Sequence, residues 1–305
     1  MSAVPRLRAG DTVAVIAPAG PVPAGLLDEG LAVLRSWGLS VRVGEHVRDD
    51  HPTFDYLAGA DADRAADLQR AWCDQDVRAV FCARGGYGCL RMVDLIDWDA
   101  MRAAGPKLLV GSSDVTVLHQ AVGARIGCPS VFAPMIVTES FLRQPPAIEH
   151  LRRALFEPPS STTGPTESIT GKHAEPLISG VAQGITVGGN LSLLAAGIGS
   201  AVDWRPRPAI ALLEDVDEKP YRIDSYLTQL LRAGWFDGVT GIALGSWVDC
   251  GPADEVRAVC VDRLTPLGIP VLWELGFGHC RNAFTVELGV DATLDTTAGT
   301  LTLRG

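Results

Sequence analysis

The sequence of 305 residues predicts an α/β protein of two domains, the first built around a mainly parallel sheet. Short apolar runs alternate with amphipathic stretches through the first half, which is the pattern of βα units. Each run ends at Gly, Pro or Ser, where the chain turns toward the next helix. Near Glu157 the composition changes to Pro158-Pro159-Ser160-Ser161-Thr162-Thr163-Gly164-Pro165, which reads as an exposed linker. A chain of this length suits one large or two smaller domains, and the break favours two. The expected division is residues 1–156, a linker over 157–178, and residues 179–305.

The elements follow in order. Thr12 to Ala17 reads as a first buried strand, and Leu27, Leu31 and Leu34 then recur at helical spacing. Ser40 to Val43 is a second strand, Asp61 to Cys73 a helix, Val77 to Ala83 a third strand and Lys107 to Val110 a fourth. Beyond the linker, Ala209 to Leu213 is a continuous apolar strand. Ile223, Leu227 and Leu230 share a helix face, and Val239 to Leu244 is another strand. From Phe284 to Leu303 apolar and polar residues alternate around Thr296-Thr297-Ala298-Gly299, which predicts an antiparallel hairpin.

Charge and cysteine content exclude several functions. Acidic residues outnumber basic ones by 36 to 26, and no Lys/Arg block can follow a phosphate backbone, so nucleic acid is not an expected partner. Seven cysteines, an odd number without a C-x-x-C pair, predict reduced thiols in a cytosol. Arg6 and Arg8 precede an apolar stretch as in a secretory leader, but Asp11 interrupts it. The run Val13 to Ala17 is also shorter than the roughly 7 to 15 residues of a signal core. Nothing approaches the ~18 apolar residues of a membrane span, so a cytoplasmic protein with no membrane partner is expected.

The sharpest local feature is the stretch from Lys107 to His119, a buried strand that breaks at Gly111 and enters a helix through Ser112, Ser113 and Asp114. A serine there sits at a helix N-terminus, where backbone N–H groups can stabilise an oxyanion and a tight turn presents the hydroxyl. Ser and Asp are equally favoured as helix caps, so the pattern alone leaves capping and catalysis open. A second break, Arg84-Gly85-Gly86-Tyr87-Gly88, permits positive φ and leaves backbone amides uncovered. It has neither the P-loop lysine nor dinucleotide-binding spacing, and a plain strand-to-helix turn also explains it.

A serine needs a base. His46, His51, His150 and His173 lie in polar connections and read as surface residues. His119 is about a turn and a half beyond Ser113, where packing suits it better. His279 follows Val271-Leu272-Trp273, Gly276 and Gly278, a strand-to-loop exit of the kind that gathers functional residues, although loop histidines are often structural. Glu214 ends the strand beginning at Ala209 and would be desolvated without a partner such as an imidazole N–H. Asp215, Asp217 and Glu218 compete for that role. No zinc-binding spacing is present, and no cysteine has the turn setting of Ser113.

Four separated segments together resemble the LD-carboxypeptidase family, which includes muramoyl-tetrapeptide carboxypeptidases and the self-immunity peptidases that destroy microcin C. They are Arg84 to Gly88, Gly111 to Thr116, Gly188-Gly189-Asn190-Leu191, and Leu213 to Asp224, with Gly278-His279 beyond. The likeness runs from Val13 almost to the C-terminus. It implies a flavodoxin-like N-terminal domain similar to class I glutamine amidotransferases, and a smaller β-rich α/β domain that delivers glutamate and histidine. It further implies a Ser113, Glu214, His279 triad, an oxyanion hole from the amides of Gly86 and Asp114, a homodimer, and no metal or organic cofactor. The implied substrate is a small peptide, a murein tetrapeptide cut before its terminal D-alanine in a cytosolic recycling pool. Arg84 and Arg222 are candidates to hold its free carboxylate, and Tyr87 and Asn190 are further binding candidates within the motifs. Ser112, Ala133 and Glu287 depart from common family residues, which bears on substrate preference. The other readings are a microcin-type peptidase, which should carry a base-stacking aromatic in an extended loop, and a non-catalytic ligand-binding relative.

Overall fold

The computed structural model describes residues 4–157 and 168–304. In the first part β1 (Thr12–Ile16), α1 (Ala24–Ser36), β2 (Ser40–Val43), α2 (Asp61–Cys73) and β3 (Val77–Cys82) come first. After them come α3 (Cys89–Met92), α4 (Trp98–Ala104), β4 (Leu108–Gly111), α5 (Thr116–Arg125), β5 (Ser130–Phe132), α6 (Glu139–Leu142) and α7 (Pro145–Phe156). The five strands pair in parallel in the order β2-β1-β3-β4-β5. Because successive strand residues point to opposite faces, Val13, Val15, Ala79 and Phe81 bury against Leu27, Leu31 and Leu34 of α1 and Leu151 of α7. Ala14, Ile16, Val80 and Cys82 bury on the other face with Leu68 and Trp72 of α2 and Leu118 of α5. The three α1 leucines are at most 3% exposed, each contributing roughly 1.5 to 3 kcal/mol of burial.

The second part runs β6 (Ser168–Thr170), β7 (Glu175–Ile178), β8 (Val181–Asn190), α8 (Leu191–Gly197), β9 (Ala209–Val216) and α9 (Pro220–Arg232). It continues through β10 (Val239–Val248), α10 (Ala253–Leu264), β11 (Val271–Trp273), β12 (Val286–Leu288), β13 (Asp291–Asp295) and β14 (Thr300–Arg304). A second sheet has the order β6-β14-β13-β8-β9-β10-β11-β7. Its centre, β8 to β11, is parallel, and the flanking pairs are antiparallel. Ile223, Leu227 and Leu230 of α9 cover one face with Leu213 and Leu244. The other face packs on the first domain through Ile210, Leu212, Phe277 and Phe132, the two phenylalanine rings meeting edge to face at 6.0 Å.

The predicted strands and helices lie where the sequence places them, with ends shifted by a few residues. Two expectations change. Of the stretch read as linker, 158–167 lies outside the described residues, whereas 168–170 and 175–178 are β6 and β7 of the second sheet. The Phe284 to Leu303 segment is also not one hairpin. β13 and β14 form it, but β12 leaves to pair antiparallel with β5 at the edge of the first sheet. Glu287 of β12 pairs there with Arg6 at 2.5 Å, which accommodates a charge in a strand that is otherwise apolar.

Candidate active site

Ser113 lies in a single 3₁₀ turn between β4 and α5. Its φ of 59° is left-handed, a conformation that costs a non-glycine residue energy and persists where the surroundings impose it. Two buried groups hold the ends of this turn. His119 donates from Nε2 to the Gly111 carbonyl at 2.9 Å and accepts from Ser130 Oγ at Nδ1, 2.8 Å away, which pins the strand end. Burial holds this imidazole neutral and lowers its pKa to about 4. The Asp114 carboxylate accepts from the Cys89 N–H at 2.8 Å and so ties the serine turn to the end of the glycine-rich loop. Burial raises that carboxyl's pKa.

The glycine loop lies directly against the serine. A Cβ on Gly85 would sit 2.8 Å from Ser113 Cβ and 3.0 Å from its Oγ, so only glycine leaves the hydroxyl its place. Gly86, with φ 112°, is exposed, and its N–H makes no backbone hydrogen bond among the described residues. Gly86 and Asp114 thus each follow one side of the Gly85 to Ser113 contact, and the Asp114 to Cys89 bond joins the two loops.

His279 comes from the other domain. Its Nδ1 donates to Glu214 Oε2 at 2.7 Å, and Glu214, within β9, is 0% accessible. The carboxylate accepts only, so Nδ1 carries the proton and Nε2 is left to accept one. Burial opposes a charge on the ring, but the charge and hydrogen bond of Glu214, with Asp215 beyond, outweigh it and raise the pKa of His279. A cleft lined by Ser112, Met135, Gln144, Gly278, His279 and Cys280 joins the domains, and Met135 Cε also approaches Gly85 beside Ser113. The imidazole lines this cleft, and Ser113 adjoins it through Ser112 and Gly85. Among the described residues no hydrogen bond joins them, and such bonds commonly tighten only when substrate binds.

The other candidates are spread more widely. Tyr87 is 46% exposed on the glycine-rich loop, its ring edge-on to Tyr56 at 5.9 Å. Arg84 is half-buried and donates to the Pro21 carbonyl at 2.9 Å, and no carboxylate pairs with it among the described residues. Arg222 lies exposed on α9, engaged by Tyr226 Oη at 2.5 Å and Glu218 at 3.5 Å. Asn190 is 2% exposed, and its amide is bonded internally to Glu214 and Asp215. His150, expected in a polar connection, lies on α7 and accepts from the Thr285 N–H at 3.1 Å.

Comparison with known proteins bears on this geometry. Residues 13–133 match the LD-carboxypeptidase N-terminal domain, and residues 183–294 match the LD-carboxypeptidase C-terminal domain. The chain belongs to the LD-carboxypeptidase family. A putative carboxypeptidase of Streptomyces coelicolor is 54% identical over 98% of this chain and 94% of its own length. The murein tetrapeptide carboxypeptidase of Pseudomonas aeruginosa is 33% identical over 93% and 92%. The crystal structure of muramoyltetrapeptide carboxypeptidase from Oxalobacter formigenes has a TM-score of 0.82 at 28% identity, covering 96% of this chain and 97% of that one. This LD-carboxypeptidase is accordingly a serine carboxypeptidase with a two-domain α/β fold. No helix among its described residues is long and apolar enough to cross a membrane.

Sequence reasoning passed over residues that support the carboxypeptidase's loops. Arg64, 1% exposed on α2, donates to the Pro18 carbonyl at 2.6 Å, pairs with Asp61, and lies where a Gly88 Cβ would be. A buried arginine leaves no mark in a helix that reads as amphipathic. Met135 and Gln144 line the cleft from loop and helix-cap positions that carry no chemical signature.

Proposed function

We propose that this serine carboxypeptidase hydrolyses the L,D peptide bond to a terminal D-alanine in cytosolic murein tetrapeptides through Ser113, His279 and Glu214. The observation that carries the reading is the 2.7 Å bond from His279 Nδ1 to the wholly buried Glu214, which leaves Nε2 to accept a proton at a cleft that Ser112, the residue before Ser113, also lines. His279 Nε2 takes the Ser113 proton as Oγ attacks the last peptide carbonyl. The amides of Gly86 and Asp114 hold the resulting oxyanion, a contribution worth about 3 to 4 kcal/mol per donor. His279 then returns the proton to the D-alanine amine as the C–N bond breaks, leaving an ester on Ser113. Water, deprotonated by the same imidazole, attacks the ester carbonyl and releases the tripeptide carboxylate and the Ser113 hydroxyl. The names of the tetrapeptide carboxypeptidase relatives support this substrate.

The test is turnover of a D-alanine-terminated tetrapeptide by the wild-type chain and by Ser113→Ala. Release of D-alanine is expected, with kcat about 10⁴-fold lower in the folded variant. Undiminished turnover by Ser113→Ala would sink the serine assignment. Cleavage of an aminoacyl sulfamoyl nucleoside in preference to the tetrapeptide would move the substrate to the microcin class.

A further inference from the structure

Glu214 has a second carboxylate for company. Neighbouring residues of a strand ordinarily send their side chains to opposite faces, yet Glu214 and Asp215 of β9 both meet the amide of Asn190. Asn190 Nδ2 lies 2.8 Å from Asp215 Oδ1 and 3.4 Å from Glu214 Oε1. Asp215 is 1% exposed and also accepts from the N–H groups of Val216 and Ser192, both at 2.9 Å. Burial, with the charge of Glu214 beside it, pushes its pKa up to about 7 in spite of these three donors. Two carboxylates buried side by side oppose stability, so a role beyond packing is needed to account for the second.

Asn190 carries the connection onward. Its Oδ1 accepts from Ser192 Oγ at 2.7 Å and from the Leu193 N–H at 3.3 Å, capping α8. Its own N–H donates at 2.9 Å to Oγ1 of Thr116, the first residue of α5 and three beyond Ser113. The approach is close enough that a Cβ on Gly189 would lie 2.5 Å from that hydroxyl. Gln120 of α5 adds a bond from Nε2 to the Gly188 carbonyl at 3.2 Å. A continuous buried chain therefore runs from the helix behind the nucleophile, through the end of β8, to the acid in β9.

We infer that Asp215 is a positioning residue: it anchors the Asn190 amide, and through that amide it keeps Glu214 Oε2 on His279 Nδ1 in register with the helix that begins beside Ser113. The inference rests on the triad described above. Without Asp215 the Asn190 amide turns fully to Glu214 Oε1, and the carboxylate rotates away from the imidazole. Misplacement of a catalytic group by an ångström costs up to about 10²-fold in rate.

Asp215→Ala is expected to lower kcat roughly 10- to 100-fold with KM within about twofold of wild type. Asp215→Asn, which keeps an acceptor for Asn190, should recover most of that loss. A second readout needs no substrate. The low-field proton NMR resonance of the His279 Nδ1–H, assigned by its loss in His279→Gln, should shift in Asp215→Ala and return in Asp215→Asn. An unchanged kcat in folded Asp215→Ala, or a lowered kcat with the His279 resonance unmoved, overturns the inference. If Asp215→Ala does not fold, Thr116→Val carries the test, since it removes the acceptor for the Asn190 N–H. The same kcat loss and resonance shift are then expected, and neither appearing overturns the connection. Should Ser113→Ala prove active, the triad assignment fails separately, and the resonance still decides whether Asp215 sets the Glu214 to His279 bond.

Discussion

Lowering the pH through the histidine range should weaken this protein at one buried ring. His119 is 1% exposed and hydrogen-bonded as a neutral imidazole, with a pKa lowered to about 4 against an ordinary value of about 6.5. The folded state binds its proton less tightly than the unfolded chain. The stability contribution is therefore complete above about pH 6.5 and is lost as pH falls from there toward 4. Linkage from these two values gives a loss of about 2 kcal/mol between pH 7.5 and 5, and about 3 kcal/mol by pH 4. Other groups also titrate, so the measurement is a difference: urea unfolding of wild type and His119→Gln at pH 7.5 and 5. The stability gap should narrow by about 2 kcal/mol at the lower pH. A gap that stays constant, or a His119 ring that titrates near 6.5 by NMR, would refute the reasoning.

Three further outcomes test the site. Gly85→Ala should leave the protein folded but press on Ser113 Cβ and Oγ, lowering kcat by about 10²-fold, read in the tetrapeptide assay. The rise of kcat/KM with pH should lie above the ordinary histidine value, because the proposed base His279 must be unprotonated and its pKa is raised. In Glu214→Gln, with that charge removed, the limb should move down in pH as kcat falls. Amidating the terminal D-alanine should cut kcat/KM by about 10²-fold if Arg84 holds the carboxylate, and Arg84→Ala should erase that preference. An undiminished preference in the variant places the anchor elsewhere.

Much of the first domain was legible because its central strands are buried on both faces, so Thr12 to Ile16 and Val77 to Cys82 stand out as apolar runs ended by small residues. Leu27, Leu31 and Leu34 likewise mark α1 by spacing. β12 was not legible. Three residues whose partner is β5, more than 150 positions earlier, carry no local sign of which sheet they join. Ser113, Glu214 and His279 were each ambiguous alone, since a cap, an acidic turn and a loop histidine read the same way. Their order among the shared motifs is what the resemblance adds in favour of a triad. The left-handed backbone of Ser113 and the Asp215, Asn190, Thr116 chain were beyond reach, because both arise from long-range contacts of short polar residues.

Strand β12 also imposes an order in time. Among the described residues the outer edge of β5 pairs with residues 286–288, so during synthesis the first sheet stays open along that side until β12 has been made. An open strand edge invites pairing with other chains, and a nascent molecule of this kind depends on prompt completion or on protection in the cell. Arg6 meets Glu287, which is made long after it. The loop bearing His279 hangs between β11 in the second sheet and β12 in the first, so the proposed base reaches its place only after both sheets have closed. A half-made chain therefore carries the proposed nucleophile without the proposed base.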